Sequence, residues 1–400
     1  MRHLIRRRPG LPSAQDHQGD PDQVQHFGIS FPPTPKPINK TNWLTAYKVN
    51  PFHSGVYARI FRLAGSLAVA AIALRPIGAQ AHVKWFAAYD LTAPPHSPSA
   101  IASSQFAQLA LFTMLALCAA SWIETSKFGR SLGIGLNLLT GTIRLRTDEF
   151  LRCCLAAFFI ALWSHGGIIL TPELATENPW VEWLQAAIAV GMFWHRSMLL
   201  SGIGIVGLYA YGVAAYGLYH MLDYPIFLGF AAYCMLRGLS LDRTGRMPEA
   251  IVRWSIGITL MWASVEKWAY PEWTFPLLDL HSDIALGLDR KFFMNAAGMV
   301  EFGFAFALVW TPLVRRLAAI ALCATFVSAI IEFGKIDAIG HMPIIAALVV
   351  IAVEPSVAMR YPRPTWLPGC FALALVGFVV AYFAAHALLM PGMITGSAHS

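Results

Sequence analysis

Glu301 is the residue whose position in this sequence most strongly indicates chemistry. It lies near the middle of an apolar stretch, residues 292–311, in a chain that is apolar for most of its length. A carboxylate at the centre of a membrane helix costs about 2.5–3.5 kcal/mol on insertion scales, and such residues usually belong to functional sites. The sequence therefore predicts a site at Glu301.

Neighbouring apolar stretches bring further ionisable side chains to the same side of a predicted membrane. These are Glu266, Lys267, Glu332, Asp337 and His341. Ionisable groups at such depth normally face the interior of a helical bundle and pair there, and a carboxylate among them can exchange protons. We predict Glu301, Glu332 and His341 as catalytic residues, and Trp262, Glu266, Lys267 and Asp337 as ligand-binding residues. No histidine pair shows a dedicated metal spacing, so the sequence does not identify a metal site.

Composition assigns the chain to the polytopic membrane proteins. Hydrophobic residues make up 56% of the 400 residues and charged residues 13%. The net charge of +7 does not indicate nucleic-acid binding, because Lys and Arg cluster in the loops on one side of the predicted membrane. The six cysteines form no C-x-x-C pair, so neither a disulfide framework nor a zinc ribbon is indicated.

Apolar segments of about 20 residues, the length that crosses a bilayer, predict an all-α bundle with about eleven transmembrane helices. The predicted spans are 58–78, 105–123, 150–170, 180–196, 198–218, 223–239, 250–269, 292–312, 316–334, 338–354 and 366–389. Basic residues recur in every second loop, which places those loops and the N-terminus in the cytoplasm and the C-terminus outside. We expect the chain in the plasma (inner) membrane, with its C-terminus in the periplasm and the lipid bilayer as its first partner.

The order of the spans predicts five regions. Residues 1–55, polar and rich in proline, are expected to form a disordered cytoplasmic arm. Residues 56–149 hold two helices and a basic cytoplasmic loop, 150–247 a first four-helix unit, 248–355 a second one, and 356–400 the last helix and an outer tail. The two units are predicted to be parallel repeats, because each has a helix ending in an aromatic-Gly pair, a polar turn and a proline: 216–225 and 333–343.

Residues 248–355 resemble the DoxX/DoxD-like membrane proteins. The similarity is carried by Glu266-Lys267-Trp268-Ala-Tyr270-Pro271 at the end of a first helix, by the acidic second helix with Glu301, and by the segment 334–343, Gly-Lys-Ile-Asp-Ala-Ile-Gly-His-Met-Pro. The resemblance implies a four-helix membrane bundle in a family that includes subunits of quinone-linked oxidoreductases. The chain is longer than typical members, which resemble a single four-helix unit.

Several functions are compatible with this pattern. The first is a membrane subunit of a quinone- or metal-linked redox system, which requires a redox protein partner because no haem or iron–sulfur motif is visible in the sequence. Quinone is the cofactor that this hypothesis implies. The alternatives are a non-catalytic membrane anchor or assembly factor, and a small-solute transporter with Glu301 as its coupling site. A carboxylase of the vitamin K-dependent type is a fourth alternative, although the lumenal catalytic domain is missing from the sequence. Whether the chain is an enzyme stays open.

Overall fold

Long apolar segments favour helices because a helix satisfies its backbone hydrogen bonds within one segment, which a bilayer requires. A computed structural model describes residues 84, 89, 93–241, 247–281, 285, 287–355 and 364–390. The predicted arm at 1–55, the first predicted span at 58–78 and the tail at 391–400 lie outside these residues.

Helices form most of the described chain. In order they are α1 (Pro98–Ile101), α2 (Ser104–Thr125), α3 (Lys127–Arg144), α4 (Thr147–His165), α5 (Pro179–Gly191), α6 (Met198–Tyr216), α7 (Leu218–Met221), α8 (Pro225–Gly238), α9 (Met247–Ala269), α10 (Phe275–Leu280), α11 (Arg290–Leu308), α12 (Pro312–Phe333), α13 (Lys335–Val353) and α14 (Leu367–Leu389). Two short 3-10 helices, Pro271–Thr274 and Pro364–Trp366, precede α10 and α14. The described residues contain no β-structure beyond an isolated bridge between Ile168 and Ala175.

Five of these segments are long and apolar enough to cross a membrane: α2, α6, α12, α13 and Pro364–Leu389, which contains α14. The outermost helices leave large apolar side chains exposed, such as Phe112 on α2 and Leu373 on α14, as a lipid-facing helix does. The prediction of an all-helical membrane protein is confirmed at this level. The count of eleven spans and the internal repeat stay predictions.

Each predicted span from residue 105 onward coincides with a helix, although not every helix is as long as its span. Helices α5 and α8 have 13 and 14 residues, which at 1.5 Å per residue is about 20 Å. The hydrocarbon core of a bilayer is about 30 Å thick. These two helices are therefore shorter than the thickness of that core.

Two segments differ from the sequence-based expectation. The expected cytoplasmic loop within 124–149 contains the 18-residue helix α3. Pro343 was expected to open a helix as Pro225 opens α8, but it lies inside α13, which already begins at Lys335. The two motifs that suggested the repeat thus have different structures at their prolines.

Helix α9 lies at the centre of the bundle and positions the site. It packs against α8, α11, α13 and α14, and 13 of its 23 residues are buried. Its contact with α8 is close because Gly229 faces Ser255, where a Cβ atom on Gly229 would lie 2.0 Å from the serine Oγ. Helix α9 contacts α11, α11 contacts α12, and α12 contacts α13. Helix α13 also contacts α9, so the four helices form a closed group. The residues at the C-terminal end of α9 therefore face the start of α13.

Candidate functional site

A cavity of about 270 Å³ opens between the C-terminal half of α9 and helices α8, α11, α12 and α13. Most of its wall is apolar, with Phe227, Leu260, Phe326 and Phe333 among the lining residues. Four carboxylates and two lysines interrupt this wall, together with one histidine: Asp223, Glu266, Glu301, Asp337, Lys84, Lys267 and His341. An apolar pocket with a few convergent polar groups is the usual form of a small-molecule site.

Glu301 forms a salt bridge across two helices. Its Oε2 lies 2.8 Å from Nζ of Lys267, which joins the middle of α11 to the end of α9. The charge of Glu301 is therefore compensated, and the side chains keep 19% and 28% of their surface accessible for Glu301 and Lys267. The pair can present an ammonium group and a carboxylate to the same ligand.

Asp337 and His341 form a second pair, one helical turn apart on α13. The carboxylate Oδ2 lies 2.8 Å from Nδ1 of the histidine, and both side chains are buried. An acidic partner on Nδ1 fixes the orientation of the ring and directs the other nitrogen, Nε2, to the opposite edge. The ring of Phe326 lies against that of His341, with 4.7 Å between the centroids. This arrangement suits hydrogen bonding to a ligand, or proton transfer to it.

Lys84 forms the centre of a third group. Its Nζ donates to Asp223 Oδ2 at 2.5 Å and to Glu266 Oε2 at 2.6 Å, and its side chain is 6% exposed. Trp262 donates its indole N–H to the other oxygen of Asp223 at 2.9 Å. The ammonium also lies 5.4 Å from the centroid of the Trp273 ring, within cation–π range. One buried cation therefore holds two carboxylates from different parts of the chain.

A fourth group, Glu173 with His220 and Tyr224, adjoins Lys84. Glu173 Oε1 lies 2.8 Å from His220 Nε2 and also accepts a hydrogen bond from the Tyr224 hydroxyl. Glu173 lies in the loop between α4 and α5. Burial raises the pKa of its carboxyl, but the hydrogen bond from His220 and the charge of Lys84 outweigh burial, so the pKa of Glu173 is lowered. The ionised form of Glu173 therefore stabilises this end of the bundle.

The contribution of Glu173 to stability is expected to depend on pH. Because its pKa is lower in the folded state, the contribution should be complete above about pH 4.3, the ordinary glutamate pKa, and should vanish as the pH falls through the folded-state value. The measurement is the thermal midpoint of the wild type and of Glu173→Gln between about pH 3 and pH 7. The gap between them should narrow towards acid, whereas Glu177→Gln, an exposed change in the same loop, should track the wild type. A gap that stays constant with pH would contradict this assignment.

The structure brings most of the predicted site residues together. Glu266, Lys267, Glu301, Asp337 and His341 all line the cavity. Trp262 is not among the lining residues, but its indole holds Asp223 in the wall.

Glu332 is the exception. It pairs with His281 at 2.9 Å, its side chain is 45% exposed, and it is not among the lining residues. The cavity is lined by the face of α12 that carries Phe326, Ala329 and Phe333, and Glu332 points about 100° away from Phe333 on the helix.

Sequence reasoning missed Lys84 and proposed no site residue in the first unit. Asp223 and Tyr224, both from that unit, line the cavity, and His220 binds Glu173 beside them. The Asp-Tyr-Pro run at 223–225 was visible in the sequence as a repeat motif and was the available signal for Asp223. Gln185, on α5 of the same unit, has a structural role, because its side-chain amide donates to the carbonyls of Ile168 and Ile169.

The chain matches no protein-family model, and neither the curated proteins nor the solved structures include a significant match. Within the described part of the chain, no three His, Cys, Asp or Glu side chains are arranged to hold a metal ion.

Proposed function

We propose that the chain is the membrane subunit of a redox system and that it binds a quinone in the central cavity. The observation that carries the proposal is that two hydrogen-bond donors, Lys267 and His341, are each paired with a carboxylate in the wall of one apolar cavity. A quinone has a flat apolar ring and two carbonyl oxygens that accept hydrogen bonds. The volume of about 270 Å³ is near the lower limit of ligand pockets, which suits the ring of such a molecule.

Charge balance supports proton exchange at this site. Reduction of a quinone to its quinol takes up two electrons and two protons. The four carboxylates of the wall outnumber its two lysines, so the wall can take up protons to replace the two that a quinone would consume on reduction. Lys267 and His341 would donate the two protons to the quinone oxygens, and Glu301 and Asp337, paired with them, would stabilise their protonated forms. The electrons must come from a redox protein partner.

The similarity of residues 248–355 to the DoxX/DoxD-like proteins is in keeping with this function, and we propose membership of that family. We also propose that the cavity lies in the outer half of the membrane. Arg237, Arg253 and Arg315 lie at the other end of the bundle, where α9 and α12 begin and α13 ends. By the positive-inside rule this end faces the cytoplasm, so the cavity would face outward.

The test is quinone binding by the purified protein in mild detergent. Lipids extracted from the preparation are analysed for quinone by mass spectrometry, and a short-chain benzoquinone and naphthoquinone are titrated against intrinsic fluorescence. Loss of a hydrogen bond to a charged group costs about 1.5–3 kcal/mol, so Glu301→Gln and His341→Gln should each weaken binding about 10-fold to 100-fold.

Glu332→Gln is the matched control, because it makes the same change at a carboxylate on a neighbouring helix outside the cavity. It should bind quinone as the wild type does. Wild-type protein that neither retains nor binds a quinone, or equal affinity in all three variants and the wild type, would reject the proposal.

A further inference from the structure

Helix α3 begins at the end of a membrane-spanning helix. A single residue, Ser126, separates it from α2, and the Ser126 hydroxyl accepts a hydrogen bond from the backbone N–H of Gly129 at 3.1 Å. This cap starts α3 directly at the turn. If α2 spans the bilayer, the first turn of α3 lies at the membrane surface.

The face of α3 that packs on the bundle is small and polar. It carries Gly129, Gly133, Asn137 and Thr140, which recur every three or four residues. A Cβ atom on Gly129 would lie 2.2 Å from the carbonyl oxygen of Ile123, so only glycine permits this approach. Asn137 and Thr140 accept hydrogen bonds of 2.6 and 2.9 Å from the buried guanidinium of Arg316 on α12. These contacts fix the rotation of α3 about its axis.

The opposite face is apolar and exposed. Phe128, Ile134, Leu138 and Leu139 are exposed by 69%, 62%, 79% and 79%. A helix on the surface of a soluble protein has the reverse arrangement, with its apolar stripe towards the core. Two basic residues near the start of the helix, Lys127 and Arg130, are also exposed.

We propose that α3 is an interfacial helix whose apolar face inserts into the bilayer at the boundary between headgroups and acyl chains, while Lys127 and Arg130 bind lipid phosphates. Three observations select lipid as the occupant: the one-residue connection to α2, the large apolar side chains of the exposed face with Lys127 among them, and the polar anchor on Arg316 that prevents the face from turning inward. Arg130 lies at the edge of this face, where its guanidinium also donates to the Thr125 carbonyl at 2.7 Å. Amphipathic helices of this composition lie in the membrane plane. The inference does not depend on what the cavity binds.

Photolabelling of the unmodified protein in phospholipid vesicles tests this proposal. An apolar carbene precursor dissolved in the bilayer and a water-soluble one are used in parallel, and trypsin releases the peptide 131–144 by cleavage after Arg130 and Arg144. We expect the apolar reagent to label Leu138 and Leu139 and to leave Asn137 and Thr140 unlabelled. Labelling of the two leucines mainly by the water-soluble reagent would overturn the proposal. So would absence of both labels, which would mean that residues 1–83 or another protein cover the face.

Spin labelling supplies an independent measurement. All six cysteines are free thiols in the structure. They are replaced by alanine, and a nitroxide is attached to a cysteine introduced at position 139 (Leu139→Cys). The control is Asp279→Cys, at an exposed site outside the predicted spans. Collisions with oxygen should dominate at position 139 and collisions with a water-soluble nickel chelate at position 279. Equal nickel accessibility at both positions would contradict insertion of α3.

Discussion

Replacement of Lys84 by methionine is expected to destabilise the fold by about 3–5 kcal/mol, the cost of breaking a buried ion pair by removing one partner. The reason is that Asp223 and Glu266 would both lose their contact with the Lys84 ammonium, at 2.5 and 2.6 Å. Methionine preserves most of the side-chain volume, so the effect reports the lost charge and not a cavity. The measurement is the thermal unfolding midpoint in detergent, followed by intrinsic fluorescence, together with the yield of monodisperse protein.

Two further variants make this prediction specific. Lys291→Met makes the same change at an exposed lysine at the start of α11 and should leave the midpoint near that of the wild type. The double variant Lys84→Met/Glu266→Gln should recover part of the lost stability, because it removes one of the two stranded charges. A midpoint for Lys84→Met equal to that of Lys291→Met would show that the triad does not stabilise the fold.

Replacement of Glu354 by glutamine is expected to have the second largest effect. Here one carboxylate pairs with two cations, whereas at Lys84 one cation pairs with two carboxylates. Both carboxylate oxygens accept hydrogen bonds of 2.8 Å from Arg253, and Oε2 accepts another of 2.6 Å from Arg315. Loss of this one anion would leave two guanidinium groups repelling each other across α9 and α12. Because the three side chains keep 13–17% of their surface exposed, the cost should lie towards the lower end of about 3–5 kcal/mol.

Glu332→Gln again serves as the control, since it removes a half-exposed carboxylate near the other end of α12. Exposed ion pairs contribute about 0–1 kcal/mol, so this variant should unfold close to the wild type. Adding Arg315→Gln to Glu354→Gln should restore part of the stability. If the costs of the two changes instead added up, the double variant would be less stable than Glu354→Gln. That result would show that repulsion between the arginines is not the cause.

Local patterns in the sequence were sufficient to predict the helices and much of the cavity. The apolar runs around Glu301 and His341 have the length and composition that a helix needs in lipid, and charges within such runs face inward. These features depend on neighbours in the sequence and are therefore visible in it.

The remaining features depend on contacts between distant segments. Lys84 meets partners 139 and 182 residues away, and no property of its own segment indicates this. Helix α3 contains glycines and basic residues that are typical of a loop, and its contacts with α2, α13 and Arg316 outweigh the low helix propensity of glycine. The orientation of Glu332 was missed because depth along a helix does not specify which face a residue occupies.

The proline inside α13 has a mechanical consequence for the cavity. Pro343 has no N–H to donate to the carbonyl of Ile339 one turn earlier, and interior prolines are where helices kink. Gly340, His341 and Pro343 all line the cavity, so the turn that lacks this hydrogen bond is also part of its wall. A bend at this point would change the width of the cavity and would also move the segment that follows Pro343, including Glu354 just beyond the end of α13. Occupancy of the cavity would thus be linked to the arginine contacts at the other end of the bundle through the part of α13 that follows Pro343.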